Sequence, residues 1–224
     1  MTIKDLASIA QANGLILRND QLLLLSKYAD LLRKKNSVVN LLSRKDEENI
    51  FSKHILHSLT LIIPTIPLAG ISSDANVFDL GTGGGLPGIP LRISNPQISV
   101  TFCDSIGKKI VAVSEFIESL ELTNCRAFAE RSEALATKPL HRKKYDIVVS
   151  RAVAPLDQLV FWSFGLLKRG GILFALKGGD ISEELARTSQ MKGIAKIEEC
   201  PLGLQGFDGF VIDEKKMIRV TLNS

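Results

Sequence analysis

The sequence predicts an α/β protein with a doubly wound, mostly parallel sheet and a helical extension at its start. Three observations lead there. Residues 1 to about 64 carry helical patterning without strands. From about Asn76, short apolar segments alternate with helical ones, as in successive βα units. The first of those segments runs into "VFDLGTGGGLPGIPLRI", which holds five glycines and two prolines. A bare turn at the end of the first strand is where such sheets receive ligands.

Composition sets the outer bounds. The 224 residues suffice for one core plus a small extension, here residues 1–64 as a helical cap and 65–224 as the sheet domain. Hydrophobic residues at 45% and charged residues at 23% exclude a disordered chain. A net charge of +4 favours an anionic partner only weakly, so its distribution matters more. Cations cluster at Arg33-Lys34-Lys35, Arg44-Lys45, Lys108-Lys109, His141-Arg142-Lys143-Lys144, Lys168-Arg169 and Lys215-Lys216. Cys103, Cys125 and Cys200 are odd in number and lack a CxxC pair, which excludes a disulfide framework and a zinc site and fits a reducing cytoplasm. No signal peptide is evident. The stretch "LTLIIPTIPLAGI" is too short to span a membrane and is broken by Pro64 and Pro67.

In the helical region, "NDQLLLLSKYADLLRKK" places Leu25, Tyr28, Ala29 and Leu32 on one face, with Asn19 or Asp20 as N-cap and three cations in the last turn. A second helix is expected from a Ser43 cap through "IFSKHILHSLTLII" to Pro64, with Asp46, Glu47 and Glu48 at its positive end. Strands are expected at "NVFDL", "ISVTFCD", "NCRAFA", "YDIVVS" and "GILFAL". The helical segments between them are "GLPGIPLRIS", "GKKIVAVSEFIESLE", a short one after Arg131, and "PLDQLVFWSFGLLK". Two closing strands, "GIAKIEEC" and "MIRVTL", flank the loop "GLQGFDGFVIDEKK".

The glycine loop fits two ligands. Gly83, Gly85 and Gly88 satisfy the GxGxxG of dinucleotide sites, and Asp104 at the second strand's end suits a ribose. Asp79, Gly81, Gly83 and Gly85 also satisfy acid-x-Gly-x-Gly-x-Gly, the loop that binds S-adenosylmethionine. The carboxylate favours the second ligand. A pyrophosphate would be repelled by a strand-end Asp79, whereas an ammonium is attracted. With that donor the chain becomes a methyltransferase of the class I, seven-strand Rossmann-like type.

The acceptor is read from the end of the fourth strand, Ser150 to Pro155, "SRAVAP". It lacks the Asn/Asp-Pro-Pro-aromatic pattern of exocyclic amine methylation, and no cysteine stands in the Pro-Cys setting of C5 methylation. What remains is a substrate atom with its own lone pair and no proton to remove, such as a ring nitrogen, and it needs positioning and exclusion of water rather than a base.

"DLGTGGGLPGIPL", "FCDSIGKK", "RSEAL", "YDIVVSRAVAPL" and "FALKGG", in that order, with "VVNLLSRKDEENIFSKHILHSL" before them, resemble the bacterial 16S rRNA guanine-N7 methyltransferases, once called glucose-inhibited division protein B. The resemblance spans roughly residues 36–180. It implies methylation of one guanine N7 in the decoding-region loop of small-subunit rRNA, with S-adenosylmethionine as donor and 16S rRNA or the small subunit as partner. Carried over by position, Gly81 and Leu86 contact the donor and Ser132 and Glu133 lie beside its adenine. Arg151 reaches the donor pocket or its substrate side. Arg131 and Lys177 face RNA, and Arg151 and Lys177 are candidates for substrate positioning, with no certain catalytic side chain. The family's Arg-His-x-x-Asp-Ser reads "KHILHS" here, so Lys53 and His57 replace the Arg and the Asp.

His54 and His57 share a helix face, but no third ligand accompanies them, so no metal is expected. Their helix is expected to pack near the donor cleft. Trp162 is expected in the core with Phe161 and Phe164. A cytoplasmic monomer is expected. The rivals are a small-molecule methyltransferase of the same fold and a non-catalytic nucleotide-binding module.

Overall fold

The computed structural model describes residues 1–223; the side chains of Arg44 and Lys45, one of the basic pairs, lie outside the described residues. In chain order, α1 (Ile3–Ala12) and α2 (Asn19–Asn36) are followed by a 3-10 segment (Arg44–Asn49), a π-helical segment (Ile50–Leu56) and α3 (His57–Leu59). The sheet region then alternates as β1 (Asn76–Leu80), α4 (Gly88–Ser94), β2 (Ser99–Asp104), α5 (Gly107–Ser119), β3 (Cys125–Ala129), α6 (Ser132–Thr137), β4 (Tyr145–Arg151), α7 (Leu156–Ser163), β5 (Leu167–Gly178) and α8 (Ser182–Ser189). It closes with β6 (Ile194–Pro201), α9 (Gly209–Ile212) and β7 (Lys215–Leu222).

The strands form one seven-stranded sheet ordered β3-β2-β1-β4-β5-β7-β6. The first five are parallel and β7 runs antiparallel between β5 and β6. Strand order reverses between β1 and β4, so their carboxyl ends, at Leu80 and Arg151, flank the switch point. Every predicted strand is present. The helix α8 has no counterpart in the sequence reading: it holds few apolar residues, and only Thr188 in it is fully covered.

The first helices differ from expectation at their ends. Arg18, not Asn19 or Asp20, is the N-cap of α2, and its N–H donates to Gln21 Oε1 at 2.9 Å. Ser43 makes no capping bond. The expected single helix to Pro64 is a 3-10 turn that widens into a π segment and ends as α at Leu59. The predicted face of α2 is correct: Leu25, Tyr28, Ala29 and Leu32 are fully buried. They belong to one apolar cluster with Leu59, Val77, Phe102 and Met217, so the helical start and the sheet share a core. Tyr28 Oη donates to the Gly84 carbonyl at 2.9 Å, which pins the glycine loop to α2.

At the centre of that loop, Asp79 has no exposed surface. Its Oδ2 accepts from Thr82 Oγ1 at 2.7 Å and from the Gly88 N–H at 2.9 Å. The start of α4 is thus capped by a carboxylate from the preceding strand. A Cβ at Gly88 would lie 2.6 Å from Asp79 Oδ2 and 2.5 Å from the Phe102 ring. Gly88→Ala is therefore expected to cost about 1–3 kcal/mol through overpacking. Urea unfolding should show a lower midpoint at unchanged slope. An unchanged midpoint would mean that the loop yields and is not held by these contacts.

Candidate active site

Two cavities open at the carboxyl ends of the strands. The first, about 250 Å³, is lined by Leu80, Gly81, Asp104, Arg131, Ser132, Glu133 and Trp162, among others. The second, about 660 Å³, is lined by His54, His57, Lys53, Arg151, Lys177, Glu184 and Lys215, among others. Ala152 and Val153 line both, so the chain just after β4 is their common wall.

That wall is held in an unusual backbone state. Ala152 has φ +55°, in the left-handed region that side chains with a Cβ seldom adopt. Three hydrogen bonds keep the next turn in place. Lys177 Nζ donates to the Ala154 carbonyl at 2.6 Å and to Glu184 Oε2 at 2.7 Å, and Glu184 Oε2 also accepts from the Leu156 N–H at 2.7 Å. Across the first cavity, a Cβ on Gly81 would fall 2.5 Å from Val153, so only glycine lets β1's end approach the wall this closely.

The expected donor residues separate into two groups. Gly81, Asp104, Ser132 and Glu133 line the first cavity together. Asp104 Oδ1 accepts from the Ile106 N–H at 2.9 Å and Oδ2 from the Gly83 N–H at 3.1 Å, which fixes the carboxylate at the cavity edge. Ser132 Oγ donates to Glu133 Oε2 at 2.9 Å. Gly83 and Gly85 shape the turn at φ +56° and +95° without lining the cavity, and the Leu86 side chain is buried in the core. Asp79 lies beneath the loop; its Oδ1 is buried without a partner. Burial raises its carboxyl to about 7.

Arg151 lines the second cavity and not the first. Its guanidinium donates to the Lys53 carbonyl at 3.3 Å, and burial lowers its pKa. Arg131 stands exposed at the rim of the first cavity. The Lys177 ammonium, expected to face RNA, is turned onto Glu184 and the Ala154 carbonyl, with its side chain 11% exposed.

His54 and His57 do face the cleft, and both are buried. Burial, with Arg151 nearby, lowers His54 to about 3 and holds His57 well below its ordinary value. Both are neutral at physiological pH. Trp162 also packs against the core but lines the first cavity, and Phe161 is 64% exposed, so the expected aromatic packing of α7 is only partly realised. The three cysteines are unpaired; burial pushes Cys103 to about 12 and Cys125 to about 11, which leaves them unreactive thiols. Among the described residues, no group of three or more His, Cys, Asp or Glu is placed to hold a metal, and no helix is long and apolar enough to cross a membrane.

Glu184 and Lys215 were invisible to sequence reasoning. Glu184 sits on α8, the helix without a sequence counterpart, and Lys215 lay in a run of surface-like charge. The signals α8 leaves in the pattern are Glu183 and Glu184 in its first turn and Arg187 in its last.

A seven-stranded sheet of this order, with two cavities at the carboxyl ends of its strands, is that of a class I S-adenosylmethionine-dependent methyltransferase. Solved structures share the fold. A Methanococcus maripaludis protein assigned to the S-adenosyl-L-methionine-dependent methyltransferases matches at a TM-score of 0.58 and 15% identity, covering 88% of this chain and 92% of that one. TrmN from Thermus thermophilus matches at 0.54 and 18%, covering 76% and 49%. The family model described as rRNA small subunit methyltransferase G matches residues 21–201. Ribosomal RNA small subunit methyltransferase G of Chlorobaculum tepidum is 39% identical over 203 residues, 88% of this chain and 89% of that protein. The protein of the same name from Chlorobium limicola is 42% identical over 169 residues, covering 75% and 73%. The chain belongs to the rRNA small subunit methyltransferase G family, whose members use S-adenosylmethionine to methylate small-subunit rRNA.

The buried histidines set a pH dependence. The unfolded chain takes up protons on its histidines near 6.5, whereas folded His54 does so only near 3. Folding stability therefore falls as pH drops from 6.5 toward 3. Asp79, raised in the fold, works oppositely between about 4 and 7, so its term alone favours acid. Heteronuclear NMR should show the His54 imidazole neutral down to about pH 4. Titration of His54 near 6.5 would show that the ring is solvated and would overturn its burial.

Proposed function

We propose that this chain transfers the methyl group of S-adenosylmethionine to N7 of one guanine in the decoding-region loop of 16S rRNA. The observation that carries the reading is the pair of cavities meeting at Ala152 and Val153. One side has groups for an adenosine and the other has room for a flipped-out base.

When bound, the donor supplies an electrophilic methyl on a sulfonium. The chain supplies position. Asp104 accepts from the ribose hydroxyls, Glu133 with Ser132 accepts from the adenine amine, and Gly81 lets the ligand lie against main chain. Gly83, Gly85 and Leu86 hold the loop's shape around it, and Asp79 sets that shape from below. Its Oδ1 is buried beneath the loop, and burial raises its carboxyl to about 7, so its part is to hold the loop's backbone and not to meet the ligand. Arg151 and Lys177 position the acceptor side, Lys177 through its hold on the wall. Arg131 at the rim meets RNA phosphate, and the basic clusters extend that rim.

N7 of guanine carries a lone pair in the ring plane and no proton. The N7–C bond forms as the C–S bond breaks, and the positive charge moves from sulfur to the purine. No general base is required, which agrees with a site holding none in a reactive state. Residues 1–64 act as a cap that completes the acceptor cavity through Lys53, His54 and His57, and residues 65–224 carry the transfer. The enzyme works as a monomer in the cytoplasm on the small subunit or its rRNA.

The test is labelled methyl transfer to small subunits lacking the modification, with the product nucleoside identified by mass spectrometry. Wild type should yield 7-methylguanosine. Asp104→Ala should weaken donor binding by about tenfold, while Arg151→Ala should lower the transfer rate by about tenfold with donor affinity kept. Label in another nucleoside would refute N7. Donor binding without any label in rRNA would turn the reading to a small-molecule acceptor.

A further inference from the structure

Seven buried side-chain atoms lack a hydrogen-bond partner among the described residues, and four of them belong to residues lining the second cavity. They are both ring nitrogens of His54, Nε2 of His57 and Nε of Arg151. Buried polar atoms are nearly always satisfied, so a cluster of orphans marks a place that something else completes. The two histidines are 6% and 4% exposed, and their backbones are fixed. Ser58 Oγ donates to the His54 carbonyl at 2.7 Å, Thr60 Oγ1 donates to the His57 carbonyl at 2.6 Å, and the His57 ring packs on Phe210 with centroids 5.2 Å apart. The four atoms belong to side chains that line the cavity. Lys53, Arg151 and Lys215 surround them, a setting hostile to a metal cation. A neutral, planar ligand that brings its own donors and acceptors fits.

Resting on the reading that this chain methylates guanine N7, we propose that His54, His57 and the Nε–H of Arg151 form the subsite that grips the O6 and N1–H edge of the target guanine. Arg151 Nε–H can only donate, so it requires an acceptor, which O6 is. A neutral imidazole offers one nitrogen that accepts, and it takes N1–H. Adenine presents the reverse at position six, an amine that would meet the arginine donor, and is refused. N7 lies beside O6 on the same base and is left without a partner, as attack requires. Once N7 carries the methyl, the purine is cationic and its N1–H donates more strongly. The accepting imidazole therefore binds the transition state better than the substrate. A protonated imidazole in its place would repel the developing charge.

The proposal is tested with His54→Leu, His57→Leu and His54→Gln in the full chain. Donor affinity is measured by calorimetry, the melting midpoint by scanning, and steady-state methylation on undermethylated small subunits at saturating donor. Removing an orphaned buried imidazole should raise the melting midpoint of the Leu variants and leave donor affinity within about twofold. Their kcat/KM for subunits should fall by about tenfold or more, and His54→Gln, which keeps a donor and an acceptor, should recover part of it. Folded Leu variants with kcat/KM within about twofold of wild type would overturn the subsite. So would a lowered midpoint with donor binding lost, which would mark the histidines as structural. If wild type itself produces no 7-methylguanosine, the broader functional reading fails, whatever the variants do.

Discussion

A carboxylate with no exposed surface joins three points of the chain that lie within ten residues of each other. Asp79 takes the Thr82 hydroxyl and the Gly88 amide on one oxygen, and so dictates how β1 turns into α4. Everything on the donor side is referenced to that turn. Gly81 is presented to the wall at Val153, Gly83 reaches the carboxylate of Asp104, and Gly84 meets the hydroxyl of Tyr28. Desolvating a charge is costly, and here burial raises the carboxyl toward neutrality instead of leaving a bare anion. The electrostatic reason for an acid at this place thus gives way to a mechanical one. It organises the loop's backbone whether or not a ligand is near.

The second cavity is built on another set of constraints, from distant parts of the chain. Lys177 on β5 and Glu184 on α8 secure the turn after β4, and the π segment of the helical start brings the histidines under it. A π turn inserts extra chain per turn and changes which side chains face inward. That rearrangement lets His54 and His57 line one cavity although neither has a partner there. Ala152 in the left-handed region and four of the unsatisfied buried atoms fall together around this cavity.

Sheet and loop were legible because their physics is local. A parallel strand buried on both faces must be short, apolar and bounded by turn residues, and "NVFDL" and "YDIVVS" meet that rule to within a residue. The glycines at 81, 83 and 85 announce positive φ because no other residue adopts it cheaply. The helix α8 was not legible, since it is short and mostly polar: Leu185 packs on the core while Glu184 holds the Leu156 N–H. The Arg18 cap was hidden because a backbone donor and Gln21 did the work expected of Asn19. Nor could a sequence reveal that Asp79 lies under its loop, or that the wall between the cavities is a valine. Those depend on which side of a turn a group falls, and chain topology alone decides it.

The shared core of the helical start and the sheet bears on how the chain is made. Leu25, Tyr28 and Leu32 emerge from the ribosome early, yet Phe102 and Phe116, in the same apolar cluster, are synthesised some seventy or more residues later. Until then the first helices have only one another and the segment up to Ile66 to cover their apolar stripe. For the same reason the start cannot swing away as an independent lid once folded. A gene fragment encoding only the helices would be a sticky peptide and not a domain.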